Sequence, residues 1–293
     1  MRIALFGYGE MGCTGLDFLL GQREEIVAVI THRDDPNEKR WYRSLAELAV
    51  AHHIEVFYGE DFDAAGLESL MKRLRPEMIL SFYYRQMLPM AALCVATKAA
   101  LNLHGSLLPR LRGRAPTNWA LVECEERTGV TLHHMLKEPD AGEIVAQRGF
   151  AIGPRDTALD VFKRQVDEAK ALLREVWPEV RAGTAPRIPQ DHSRATYGRR
   201  RTPEDGRIDW SQPTRRIDGL VRAITDPWPG AFTFLNGNKL MVWAGSPTLG
   251  RGTPGTVVEP GVVATGDGAY RIERATVDGA DALPFLRESR RLS

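Results

Sequence analysis

The sequence predicts an α/β protein in two parts: a parallel sheet with helices on both faces, then a small β-rich C-terminal domain. Three observations carry this. Short apolar runs alternate with helical stretches through the first half of the chain. A long amphipathic segment runs from Asp156 to Arg181. After Gly183 the texture changes to connector, short strands and turns.

Taken in order, residues 2–7 (RIALFG) and 25–31 (EIVAVIT) read as buried strands around a helical segment from about Gly12 to Leu20. Ser44–His52 is helical, Ile54–Phe57 a third strand, and residues 64–74 a further helix. Met78–Phe82 and Ala100–Leu103 continue the βαβα rhythm, which makes the sheet Rossmann-like. In the 156–181 helix, Leu159, Phe162, Val166, Ala169, Leu173 and Val176 recur near helical spacing. Residues 184–206 are rich in Pro, Arg, Ser and Thr and read as a connector. From Phe232 onward short strands dominate, with NGN between apolar runs as a hairpin signal. The domains expected are 1–188, a linker at 189–206, and an OB-like, β-barrel-like domain over 207–293.

Composition is that of a soluble globular protein, with 43% hydrophobic and 26% charged residues. No run approaches the roughly 18–20 apolar residues of a membrane span. The N-terminal MRIALFGYGEMG enters a strand directly, with no cleavable signal architecture. Three widely spaced cysteines, Cys13, Cys94 and Cys124, favour free thiols over a disulfide framework or a metal site. A cytoplasmic protein is expected. Lys and Arg number 39 against 38 Asp and Glu, so the charge lends no support to a nucleic-acid partner.

Gly7-Tyr8-Gly9-Glu10-Met11-Gly12 matches G-x-G-x-x-G between strand and helix, the dinucleotide context. The partner acid is missing from the end of the second strand, which reads Thr31-His32-Arg33, with Asp34 and Asp35 only in the loop beyond. The expectation is a tight turn that needs small residues, and no NAD.

Chemistry concentrates at Asn102-Leu103-His104, a strand end that breaks into a Gly/Pro loop. Two apart on a strand, Asn102 and His104 share a face near its carboxyl end, where open sheets bind ligands. An amide beside an imidazole can stabilise an oxyanion and move a proton. Residues 129–135 read as a further strand, followed by the loop Leu136–Gly142, whose Asp140 can reach His104, fix its tautomer and raise its pKa. Arg112 and Arg114 form a basic loop beside this site, suited to a phosphate, and Ser106 is a loop or substrate hydrogen-bonding residue. The adjacent pairs His52-His53 and His133-His134 lack further ligands at metal spacing and read as structural or surface residues.

The strings NLHGSLLPRLRGRAP (102–116) and TGVTLHHMLKEPDAGEIVAQ (128–147) closely resemble the folate-dependent formyltransferase family. Its members include methionyl-tRNA formyltransferase, the glycinamide ribonucleotide enzyme and the nucleotide-sugar N-formyltransferases. The resemblance runs on through SFYYRQML (81–88), GRRRTPEDGRIDW (198–210) and RAITDPWPGAF (222–232). It implies catalysis by Asn102, His104 and Asp140, and a 10-formyltetrahydrofolate cosubstrate embraced by Gln86, Met87 and Leu88 and by Leu136, Lys137, Glu138, Pro139 and Asp140.

FGYGEMGCTGLDFLL (6–20) and THRDDPNEKRWY (31–42) resemble the formyltransferase half of a bifunctional polymyxin-resistance enzyme. That likeness implies UDP-4-amino-4-deoxy-L-arabinose as acceptor. The decarboxylase half of that enzyme has no counterpart in these residues, which leaves the sugar and its carrier, UDP or dTDP, open. The alternatives are methionyl-tRNA formylation and another small amine, with an NAD(P)-binding oxidoreductase as the different class. The short, mixed-charge loop after the second strand resembles the sugar enzymes rather than the tRNA enzyme. A homodimer stays open.

Overall fold

The computed structural model describes residues 1–34, 40–283, 286 and 291–292. Asp35 lies outside the described residues. The chain divides into two compact units that interleave along the sequence: Met1–Gly113 with Thr128–Phe150 and Lys163–Tyr197, and Arg114–Arg127 with Ala151–Phe162 and Gly198–Ser293.

The chain opens with β1 (Arg2–Gly7), α1 (Gly9–Gly21), β2 (Glu25–Thr31), α2 (Leu45–Ala51), β3 (Val56–Tyr58), α3 (Ala64–Leu74) and β4 (Met78–Phe82). It continues through α4 (Met90–Leu93), β5 (Ala99–His104), the short β6 (Arg112–Gly113), α5 (Pro116–Val122), β7 (Arg127–His134), β8 (Ile144–Ala151), α6 (Ala158–Ala182) and β9 (Tyr197–Gly198). Seven strands form one sheet in the order β3-β2-β1-β4-β5-β7-β8. The first five are mutually parallel, as the βαβα rhythm predicts. β7 departs from it by running antiparallel to β5, with Asn102 opposite His133 and His104 opposite Thr131.

The apolar spacing of α3 places Leu67, Leu70, Met71 and Leu74 in one cluster with Phe6, Ile30 and Ile79. Ser44 caps α2 by accepting the Glu47 N–H, and Asp63 caps α3 by accepting that of Gly66. The glycine turn is explained by close approach. Gly9 has a positive φ of 57° beneath the Tyr42 ring, and a Cβ on Gly12 would fall 2.8 Å from Leu45 of α2 and 3.2 Å from the Gly7 backbone. The small residues of this turn are required by packing between α1, α2 and the sheet.

In the second unit, α5 lies against α7 (Thr214–Ile224): Asn118 Nδ2 donates to Ala223 O at 2.6 Å, and a Cβ on Gly219 would meet Leu121 O at 2.3 Å. The amphipathic α7, with Ile217, Val221 and Ile224 buried, falls between the segments read above. The strands are β10 (Ala231–Leu235), β11 (Asn238–Thr248), β12 (Val257–Glu259), β13 (Val262–Ala264), β14 (Ala269–Val277) and β15 (Ala280–Asp281). They form an antiparallel sheet in the order β10-β11-β14-β13-β12, with β15 on β14. Asn236 and Gly237, both at positive φ, make the β10–β11 hairpin that the NGN signal predicts. Leu292 bridges to Leu235 and Arg291 to Thr256, joining the outer strands. Among the described residues no helix is long and apolar enough to cross a membrane.

Candidate active site

The pairing of β5 with β7 builds the site. Opposed residues of an antiparallel pair share a face, so Asn102, His104, Thr131 and His133 line one side, while Leu101, Leu103, Val130 and Leu132 are buried. Thr131 Oγ1 donates to Ser106 O at 2.7 Å and accepts the Leu108 N–H at 3.2 Å, pinning the loop that follows His104. After β7 the chain turns back through Asp140, which sits at φ 52° in the left-handed region that Asp tolerates better than most residues. Gly142 follows because a Cβ there would lie 1.9 Å from His134 O.

His104 is buried, and its Nε2 stands 2.8 Å from Leu111 O. A carbonyl only accepts, so Nε2 carries the proton and Nδ1 the lone pair. Asp140 Oδ2 lies 3.5 Å from that Nδ1. The tautomer is therefore fixed by the Leu111 carbonyl rather than by Asp140, a correction to the sequence reading. Burial lowers the His104 pKa and outweighs the nearby carboxylate, so it moves opposite to the direction expected from charge alone. Burial acts to raise the Asp140 carboxyl, but the imidazoles of His104 and His133 and the Gly113 N–H at 2.8 Å hold it well below the usual carboxylate range.

Asn102 Nδ2 stands 3.1 Å from His133 Nε2 and 3.3 Å from Asp140 Oδ1. His133 Nδ1 donates to His134 O at 2.8 Å, which leaves Nε2 to accept from the amide in the neutral ring. His133, set aside in the sequence as structural or surface, is thus a buried member of the cluster. The available signal was strand alternation: Thr131 and His133 interleave with Val130 and Leu132 as Asn102 and His104 do with Leu101 and Leu103.

The basic residues divide. Arg112 is 1% exposed, with its guanidinium donating to Gln190 Oε1 and Tyr197 Oη and lying 3.1 Å from His192 Nδ1. Its task is internal, which corrects the reading of it as a phosphate clamp. Gln190, unnoticed in the connector, also donates to the carbonyls of Asp140 and Gly142 and so holds the carboxylate loop. Ser106 is buried and donates to Arg110 O at 2.6 Å, a loop role. Arg114 belongs to the other unit, where it is exposed and its N–H donates to Gly198 O at 2.8 Å.

A cavity of about 730 Å³ opens in the first unit. Its walls bring Gln86, Met87 and Leu88 together with Lys137 and Pro139, two segments far apart in sequence, and add Gly59, Phe62 and Asp63 from the end of β3 and the start of α3. Leu136 and Glu138, exposed in the same loop, and Asp140 do not line it. Among the described residues no group of three His, Cys, Asp or Glu side chains is placed to hold a metal ion.

An amide, two imidazoles and a carboxylate gathered together, with Asp140 next in the chain to the cavity-lining Pro139, suit acyl-group transfer. Residues 1–177 match the family described as formyl transferase, and residues 200–286 match the formyl transferase C-terminal domain. The chain belongs to the formyl transferase family, and it is a formyltransferase.

Solved structures share the fold. An N-formyltransferase from Helicobacter canadensis, in complex with folinic acid and dTDP-3-aminofucose, is 21% identical with a TM-score of 0.72, over 92% of this chain and 97% of that one. The sugar 3N-formyltransferase WlaRD, solved with dTDP and 5-N-formyl-THF, is 17% identical with a TM-score of 0.71, over 96% and 98%. A sugar N-formyltransferase from Shewanella is 16% identical with a TM-score of 0.66, over 86% and 99%.

Proposed function

We propose that the protein transfers the formyl group of 10-formyltetrahydrofolate to the primary amine of a nucleotide-linked amino sugar in the cytoplasm. The observation that carries this is the meeting of Gln86–Leu88 with Lys137 and Pro139 around one cavity, directly preceding Asp140 in the chain. Its volume lies within the roughly 300–1,000 Å³ range of small-molecule sites. The two neighbours bound to folates support the donor.

The geometry suggests the following chemistry. The amine nitrogen attacks the formyl carbon, and the carbonyl oxygen becomes an oxyanion. Asn102 exchanges one of its two present hydrogen bonds for that oxygen. The lone pair on His104 Nδ1 takes the ammonium proton, and the ionised Asp140 stabilises the imidazolium formed. Collapse breaks the bond from carbon to N10, which receives the proton from His104 as tetrahydrofolate leaves. Gly113 and Asn102 hold Asp140 in place for this role.

For the acceptor, UDP-4-amino-4-deoxy-L-arabinose comes first, on the resemblance carried by residues 6–20, 31–42 and 81–85. A dTDP-linked amino sugar is the second reading, favoured by the dTDP-containing neighbours. Release of tetrahydrofolate, followed by absorbance with each acceptor supplied separately, tests both. Folate binding with turnover of neither sugar would keep the donor and reject the acceptor class.

A further inference from the structure

The cavity lining draws on two segments from different parts of the sheet, and one buried histidine bonds the residue next to each. His32, at the end of β2, is 5% exposed. Its Nε2 accepts the backbone N–H of Arg85 at 3.0 Å, so Nδ1 carries the ring proton and donates to Glu60 Oε1 at 2.8 Å. Arg85 immediately precedes Gln86–Leu88 and Glu60 follows Gly59, two segments that both line the cavity. The ring is also stacked on Tyr84, with centroids 4.4 Å apart and planes at 22°. Tyr84 in turn seats its hydroxyl against Gly59, where a Cβ would lie 1.8 Å from Oη. The phenol is further fixed edge-on by Phe6 at 5.2 Å. The contacts thus form a closed circuit from Gly59 through Tyr84, His32 and Glu60 back to Gly59.

We propose that His32, acting with Tyr84, is a positioning residue for the folate donor: it sets the spacing between the Gly59 wall and the Gln86–Leu88 wall without touching the reacting atoms. This rests on the reading of the cavity as the folate site. The segment after Tyr84 has no strand pairing of its own, since β4 ends at Phe82 and Tyr83 turns at φ 59°. The Arg85 N–H bond to His32 holds the segment's backbone on this side, beside the Arg85 guanidinium stacked over Tyr8 at 3.9 Å. Losing that acceptor frees the wall and weakens donor binding, while Asn102, His104 and Asp140 keep their mutual bonds.

The test measures binding of 5-formyltetrahydrofolate by calorimetry alongside steady-state kinetics with 10-formyltetrahydrofolate. His32→Ala is expected to raise the Kd and the donor KM about tenfold, the scale of one buried hydrogen bond lost. The kcat at saturating donor and the amine KM should stay near wild type. His32→Gln, whose Oε1 can replace Nε2 as acceptor, should recover most of the loss. If His32→Ala does not fold, Gly59→Ala, which displaces the Tyr84 hydroxyl, should raise the same Kd, and adding Tyr84→Phe should lower it again in part, the ring carbon Cζ still standing 2.9 Å from the new Cβ. Wild-type binding with an unchanged Kd in His32→Ala, or a fall in kcat alone, overturns the proposal. Absence of wild-type binding would instead reject the folate reading itself.

Discussion

Asp140 presents Oδ2 to Nδ1 of His104 at 3.5 Å, across the ends of a strand and the loop beyond its antiparallel neighbour. The imidazole proton points away, to Leu111 O. The pair is thus set to accept a proton between its members rather than to share one already present. His104→Ala should abolish formyl transfer while donor binding survives. Asn102→Ala should lower kcat by about 10²–10³, the usual loss on removing an oxyanion donor. Single-turnover rates beside donor Kd values check both.

Acid should destabilise the protein through His104 before it does so through carboxylates. Burial lowers the His104 pKa, so the unfolded chain binds this proton more readily. The stability it contributes is full above the ordinary value of about 6.5 and is lost as pH falls toward the folded value. Asp140 is also held low, and its contribution disappears only below the ordinary carboxylate range of about 4. Melting temperatures taken from pH 8 downward should fall more steeply below about pH 6.5 in the wild type than in His104→Gln, because His134, also lowered by burial, contributes equally to both.

His133 should matter more than a structural histidine. His133→Ala removes the acceptor of the Asn102 amide at 3.1 Å. We expect kcat to fall about tenfold with donor KM little changed, as for a lost orienting hydrogen bond. Restoration by His133→Asn would identify orientation as its task.

Gln190→Ala leaves the buried Arg112 guanidinium and two loop carbonyls short of partners. A loss of about 3 kcal/mol is expected. Urea unfolding should show a lower midpoint with an unchanged m-value.

Local patterns made much of this legible. The five parallel strands follow from apolar runs alternating with helices, and the Asn236-Gly237 hairpin from turn chemistry. Asn102 and His104 were visible because two polar residues at strand spacing stand at a Gly/Pro break. Long-range relations were not: the antiparallel β7 brings His133 opposite Asn102, and no local signal states strand direction. Arg112 read as an exposed cation because burial depends on Gln190, far along the chain. Gly59 and His32 meet Tyr84 only through the sheet order β3-β2-β1-β4.

The central claim is folate-dependent formyl transfer to a nucleotide-linked amino sugar. Its most direct test is mass-spectrometric detection of the formylated product, with 10-formyltetrahydrofolate and UDP-4-amino-4-deoxy-L-arabinose or a dTDP-4-amino sugar supplied separately. The account predicts a product 28 Da heavier, the mass of a formyl group less the hydrogen it replaces, from at least one acceptor, formed about 10²–10³-fold more slowly with Asn102→Ala and not at all with His104→Ala. Product formed at wild-type rate by either variant would contradict it.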